Sequence, residues 1–254
     1  MKKVVLTLTT IPNRLSKPID NGVEKVIRFL CNLSYDDYEI HFNIPYVNKK
    51  TNEVYEIPDW LRLLDCCTSE KLKIYRTEDY GSLTKLLPTI QRITNPETVI
   101  ITVDDDLEYI DGFIEEHLKK REVYPDCALG FAGIASIPNG ICHFCTPVKE
   151  DTRVKILEGY KTISYLRKFF QSDFEEFAVG NSWNDDMIIS AYLGKERIHK
   201  IVLAYDKETD FRARAESFPV VRSLPNDAGG CYLYKIEGIP DNHDVYYKAG
   251  YLER

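Results

Sequence analysis

The sequence predicts an α/β protein in which helices are layered on a mostly parallel mixed sheet, and three observations carry the prediction. The run Val99-Ile100-Ile101-Thr102-Val103 is unbroken and wholly β-branched, the pattern of a strand buried on both faces inside a parallel sheet. Short apolar strands alternate with amphipathic segments through the first half of the chain. The buried run then ends in Asp104-Asp105-Asp106, three adjacent carboxylates that repel one another and gain nothing for a fold. Ligands of open α/β sheets bind just beyond the carboxyl ends of the strands, where such a cluster would meet one.

Each element has its own signal. Residues 3–8 read as a first strand, closed by the polar loop Thr9-Thr10-Ile11-Pro12-Asn13-Arg14. Residues 21–32 carry Val23, Val26, Ile27 and Leu30 at helical spacing. Residues 38–44 alternate as a strand, 61–64 suggest a short helix, and 72–75 suggest a third strand. After Glu78-Asp79-Tyr80-Gly81, a helix bearing Leu83, Leu86, Leu87 and Ile90 is expected, with Ser82 as N-cap and Lys85 in its first turn near anion-favouring N–H groups. A helix over 110–123 follows the aspartates, and one reading of those acids is simply a turn that caps it. Further on, 129–134 reads as a strand, 136–147 as a loop rich in Cys, His and Pro, and 159–170 as a helix. Asp185 and Asp186 open an amphipathic helix behind Asn181-Ser182-Trp183-Asn184, where Asn184 or Asp185 could serve only as a cap. A last strand is expected over 201–205.

Composition narrows the function classes. Thirty-three basic residues against 40 acidic ones leave a net charge of -7, which argues against a nucleic-acid partner held by phosphate contacts. Seven cysteines, an odd number without framework spacing, suit a reducing compartment. Cys142-His143-Phe144-Cys145 is half a zinc site without a second half at finger spacing. No apolar stretch approaches the ~20 residues that span a bilayer, and no secretory leader is expected, so the sequence predicts a soluble, cytoplasmic protein. Neither a Gly-x-x-x-x-Gly-Lys loop nor Gly-x-Gly-x-x-Gly occurs, so a P-loop NTPase or a Rossmann oxidoreductase is not indicated. Clustered carboxylate oxygens suit Mg²⁺ or Mn²⁺, held by one or two carboxylates plus substrate phosphates.

Thr-Thr-Ile-Pro-x-Arg after the first strand, then Asp-Tyr-Gly-x-x-Thr-Lys-Leu-Leu-Pro, then a strand ending in Asp-Asp-Asp together resemble a GT-A glycosyltransferase. The pattern is similar to small soluble viral and bacterial sugar-transferase domains such as those of chloroviruses, and would place the chain in host cytoplasm if viral. The resemblance implies a three-layer sandwich over residues 1–254, with a nucleotide-sugar half (1–110) and an acceptor half (111–254). It implies that Thr9, Thr10, Pro12 and Arg14 border the nucleotide and that Asp79 and Lys85 complete the base and donor-sugar pocket. Asp104 and Asp105 would face ribose or sugar hydroxyls, and Asp106 with Asp104 would ligate Mn²⁺ or Mg²⁺. Asp186 would be the general base of an inverting transfer, with Asp185 its neighbour, and the late His243 a further metal ligand. Arg212 and Arg214 could contact the diphosphate. The donor implied is a nucleotide sugar, uridine-linked, and the acceptor a glycan or glycoprotein. Two other readings stay open on the residues alone: a sugar nucleotidyltransferase, which usually shows a Gly-rich basic loop near the first strand, and a catalytically idle sugar-binding module.

Overall fold

The protein's structure is a computed structural model that describes residues 3–16, 23–68, 70–107, 109–137, 140–144, 148, 150–178 and 185–204. Strand β1 (Val4–Leu8) leads through a single turn, α1 (Pro12–Leu15), to α2 (Val23–Cys31), β2 (Tyr38–Pro45), α3 (Asp59–Thr68) and β3 (Leu72–Thr77). A 3-10 turn at Gly81–Lys85 precedes α4 (Leu87–Arg92) and β4 (Val99–Thr102). Then come α5 (Phe113–Val123), β5 (Cys127–Gly130), β6 (Gly133–Ile137), β7 (Gly140–Phe144), β8 (Thr152–Arg153) and β9 (Ile156–Leu157). A second 3-10 turn, Gly159–Lys161, leads into β10 (Ile163–Leu166), followed by α6 (Phe174–Ala178), α7 (Asp185–Lys195) and β11 (His199–Val202).

Among the described residues, eight strands form one sheet in the order β3-β2-β1-β4-β10-β5-β11-β8, and three form a second, β7-β6-β9. Strands β1 to β4 run parallel, whereas β10 is antiparallel to both β4 and β5. Parallel neighbours require crossovers, which α1–α2 and α3 supply between the first three strands. Every residue of β1 and β4 is buried. Successive side chains point to opposite faces, so the sheet centre is covered on both sides, as the β-branched run predicts. The predicted face of α2 is buried through Val23, Val26, Ile27 and Leu30.

Several sequence expectations are corrected. Residues 159–170 are not a helix: Ile163, Ser164, Tyr165 and Leu166 form a fully buried strand filling the slot between β4 and β5. Both neighbours need backbone partners there, and that demand overrides a local helical pattern. Residues 129–134 are two strands, because the chain leaves the large sheet after Gly130 and joins the small one at Gly133. A Cβ at Gly133 would lie 2.6 Å from the Ile156 carbonyl oxygen, so only glycine permits that crossing. The expected loop over 136–147 contains a hairpin strand, with His143 opposite Ile134; Cys145 lies outside the described residues. Ser82 does not cap a helix: the segment opens as a 3-10 turn at Gly81, and α4 starts only at Leu87, with Pro88 in its first turn. Helix α5 starts at Phe113 behind Gly112 (φ 99°) with no side-chain cap, so the aspartate cluster is not its cap.

Candidate active site

The register of the sheet assembles the site. Residue Ile163, the first of β10, pairs with Thr102, the last of β4. The turn ahead of β10 is thereby brought to the carboxyl end of β4, where Val103 hands over to Asp104. The loop after β1 reaches the same edge, since the Val103 N–H donates to the Thr7 carbonyl at 3.1 Å.

The three aspartates divide their work. Asp105 points inward and is 7% exposed; it accepts hydrogen bonds from Arg14 Nη1 (2.5 Å) and Thr10 Oγ1 (2.6 Å). Burial pushes its carboxyl up while Arg14 and Thr10 pull it back. Asp106 meets Arg14 Nη2 at 2.9 Å and keeps 22% of its side chain exposed. Burial, with Asp105 beside it, lifts the Asp106 carboxyl to about 6. Asp104 turns to Lys85 Nζ at 2.8 Å and is 25% exposed. Its backbone N–H donates to the Tyr109 phenol oxygen at 2.5 Å. One guanidinium thus serves two of the carboxylates and one ammonium the third, which answers the repulsion that makes this stretch costly in the sequence.

Lys85 joins this cluster to the second acid pair. Its Nζ lies 2.8 Å from Asp104 Oδ1 and 2.8 Å from Asp185 Oδ2. Burial alone would push the ammonium down, but Asp104, Asp185 and Asp186 hold it well above the ordinary lysine value. A buried polar knot fixes the backbone beneath it. The Lys85 carbonyl accepts from Thr7 Oγ1 and from Asn43 Nδ2 (3.3 Å), and Asn43 also donates to Thr89 Oγ1 at 3.0 Å. Arg92 closes the knot by donating to Asn43 Oδ1.

Asp185 is buried at the start of α7 and Asp186 is half-buried beside it. The Asp186 Oδ1 accepts the Gly159 N–H at 2.9 Å. Burial and then the Asp185 charge raise the Asp186 carboxyl well above the usual range, with Lys85 opposing them.

The remaining sequence-derived residues are placed as follows. Thr9 donates to the Asn43 carbonyl at 2.8 Å, and Pro12 opens α1, aiming Arg14 inward. Asp79 shapes its own loop: its carboxylate accepts the N–H groups of Lys49 and Gly81, each at 2.8 Å. His243, Arg212, Arg214, Trp183 and Asn184 lie outside the described residues. Sequence reasoning missed Tyr109, Asn43, Tyr55 and Gly159. Tyr55 donates to the Thr10 carbonyl at 3.0 Å and so supports the loop that holds Arg14. Asn43 and Gly159 reach the site through the sheet and Tyr55 through a long-range loop contact, whereas Tyr109 sits five positions after Asp104 and carries no motif of its own.

The donor set fits a hard divalent cation in a limited way. Among the described residues no group of three or more His, Cys, Asp or Glu could hold a metal. Asp104 and Asp106, both partly exposed at one strand end, offer two carboxylates. That suffices for Mg²⁺-like ions, which complete their shell with phosphates and water.

No protein-family model matches the sequence, and no curated protein sequence matches it either. Solved structures do match. TarS of S. aureus superposes with a TM-score of 0.51 at 14% identity, over 81% of this chain and 36% of that one. GalNAc-T7, in a structure with UDP, GalNAc and Mn²⁺, superposes with a TM-score of 0.55 at 12% identity, over 78% of this chain and 41% of that one. This chain therefore has the GT-A glycosyltransferase fold, an α/β layered structure around a large, mostly parallel mixed sheet. It spans about two fifths or less of the length of these matching chains.

Proposed function

We propose that this chain is a glycosyltransferase that moves a sugar from a nucleoside-diphosphate donor, uridine-linked, to a glycan or glycoprotein hydroxyl with inversion. One observation carries the reading: two acid clusters from distant parts of the sequence converge on Lys85, each at 2.8 Å. An inverting displacement needs one group serving the leaving diphosphate and a carboxylate base for the nucleophile, and the two clusters offer candidates for each. The fold shared with GalNAc-T7, whose structure contains UDP, GalNAc and Mn²⁺, supports the donor class.

In this mechanism Asp186 takes the proton of the acceptor hydroxyl. Its raised affinity for a proton suits that role. The acceptor oxygen forms its bond to the anomeric carbon as the bond to the diphosphate oxygen breaks, and the nucleoside diphosphate leaves with the electron pair. Asp104 and Asp106 would hold Mn²⁺ or Mg²⁺, which as a Lewis acid supplies stabilisation of the leaving diphosphate. Lys85 keeps a positive charge between the two clusters. Arg14 and Thr10 hold Asp105 so that its neighbours face outward. Residues 1–110 then form the donor half and 111–254 the acceptor half, with Thr9, Pro12 and Asp79 shaping the nucleotide side.

The test is release of nucleoside diphosphate from a panel of UDP-sugars, with Mn²⁺ or Mg²⁺ and a mixed glycan acceptor pool. The parent turns over at least one donor. Asp186→Asn loses roughly 10²–10⁴-fold in kcat, the share of a general base, while still binding donor. Equal rates in parent and Asp186→Asn would remove the assigned base.

A further inference from the structure

The group that holds Asp186 in place lies on a turn that no sequence motif marks. Gly159 is buried, its N–H donates to Asp186 Oδ1 at 2.9 Å, and it lies against both charged groups of the site. A Cβ built there would stand 3.0 Å from Asp186 Oδ1 and 3.5 Å from Lys85 Nζ. The first separation is tighter than ordinary contact, so any side chain at 159 would displace the carboxylate by a few tenths of an ångström.

The turn is itself held in a costly shape. The Thr162 N–H donates to the Gly159 carbonyl at 3.0 Å, and Thr162 has φ 71° and ψ 140°. A β-branched residue at positive φ is a genuine outlier and persists only where its surroundings over-determine it. Those surroundings are visible: Thr162 is 1% exposed, and its Oγ1 is hydrogen-bonded to Nε2 of His117, which is wholly buried on α5. Just beyond, Ile163 is locked to Thr102 by the sheet.

We infer that the Gly159–Thr162 turn, pinned by His117, is a positioning device that fixes the Asp186 carboxylate through the Gly159 N–H. The inference rests on the proposed role of Asp186. Its residues touch no reacting atom and act through the acid alone. A carboxylate moved by a few tenths of an ångström no longer aligns with the acceptor hydroxyl, so kcat falls while donor binding is untouched.

Two measurements test this. In protein labelled with ¹⁵N-glycine, the Gly159 amide resonance should move with pH as Asp186 titrates, and this movement should vanish in Asp186→Asn. This needs no turnover. In turnover, Gly159→Ala should lower kcat by about tenfold or more with donor KM changed less than about twofold. Thr162→Val, which deletes the hydroxyl, should follow it in part, and Thr162→Ser should restore the parent rate; thermal midpoints verify that each variant folds. A Gly159 amide that ignores the Asp186 titration overturns the inference whatever the activity. So does an active Gly159→Ala with the parent kcat in a background where Asp186→Asn is inactive. A titrating amide in a parent that turns over no donor overturns the transferase reading and leaves the positioning contact standing.

Discussion

Replacing Lys85 with methionine gives the sharpest energetic test, because the methionine keeps most of the volume and removes only the charge. The Lys85 side chain is 11% exposed and its ammonium faces Asp104 and Asp185 at 2.8 Å each, with Asp185 itself 9% exposed. An exposed pair would contribute about 0–1 kcal/mol, since solvent screens it. A buried pair broken on one side costs about 3–5 kcal/mol, because the partner is left as an uncompensated charge. Here two carboxylates lose their common partner and Asp186 loses a nearby cation, so the upper half of that range applies. For a chain of this size each kcal/mol moves Tm by roughly 2–4 °C, which gives a fall of roughly 8–20 °C. The assay is thermal unfolding followed by circular dichroism at neutral pH. Adding Asp185→Asn to Lys85→Met removes one stranded charge and should recover about 0.5–3 kcal/mol, the coupling expected of residues in direct contact. A Lys85→Met variant within about 1 kcal/mol of the parent would refute the reasoning, since the lysine would then behave as a solvated surface group.

Other perturbations follow from the same geometry. Arg14→Leu strands Asp105 and Asp106 and should cost about 3 kcal/mol in urea unfolding, with Arg14→Lys recovering only part of it because one ammonium cannot reproduce the two-pronged contact. Gly133→Ala forces a Cβ to 2.6 Å from the Ile156 carbonyl and should destabilise by about 1–3 kcal/mol, read from the shift in urea midpoint. The two buried histidines should each cost stability in mild acid. Burial, helped by Arg121, holds His117 down at about 3, and burial with Arg92 holds His41 at about 4. The unfolded chain takes up these protons near pH 6.5, before the folded one does. The stabilisation is therefore full above about pH 6.5 and is lost as pH falls toward 4 and then 3, by up to about 1.4 kcal/mol per pH unit for each histidine. The raised carboxyls of Asp106 and Asp186 act in the opposite sense, so the check is differential: a His41→Gln, His117→Gln variant whose Tm changes between pH 7 and 5 as the parent's does would contradict this.

How much of this was legible in the sequence depends on the range of the forces involved. The β-branched run at 99–103 declares a central strand by itself, and the hydrophobic face of α2 follows from local periodicity. Asp104, Asp106, Lys85 and Asp186 stand out because carboxylates or a lysine at the end of an apolar element need a reason. What the sequence hid was pairing. Nothing local says that Ile163 sits opposite Thr102, so residues 159–170 read as a helix with Gly159 merely at its start. Nor does anything local reveal that Arg14 serves two aspartates, or that Thr7 and Asn43 grip the Lys85 carbonyl, since these partners lie far apart in the chain. The contacts of Asp79 are hidden in the same way: its oxygens accept the N–H groups of its own loop and of the distant Lys49. The distinction among Asp104, Asp105 and Asp106, identical in sequence, comes only from which way each faces the buried cations.

The central claim is that this edge of the sheet binds a nucleoside-diphosphate sugar. Its most direct test is the thermal midpoint of the parent against a panel of nucleotide sugars in Mn²⁺, in Mg²⁺ and in chelator. A ligand bound only by the folded state at a hundredfold excess over its Kd adds about 2.7 kcal/mol. The account predicts such a shift for uridine-linked donors, present with the metal, weakened by chelator and lost in Asp106→Ala. No shift with any nucleotide sugar under any of these conditions would contradict it and leave a sugar-binding module as the better reading.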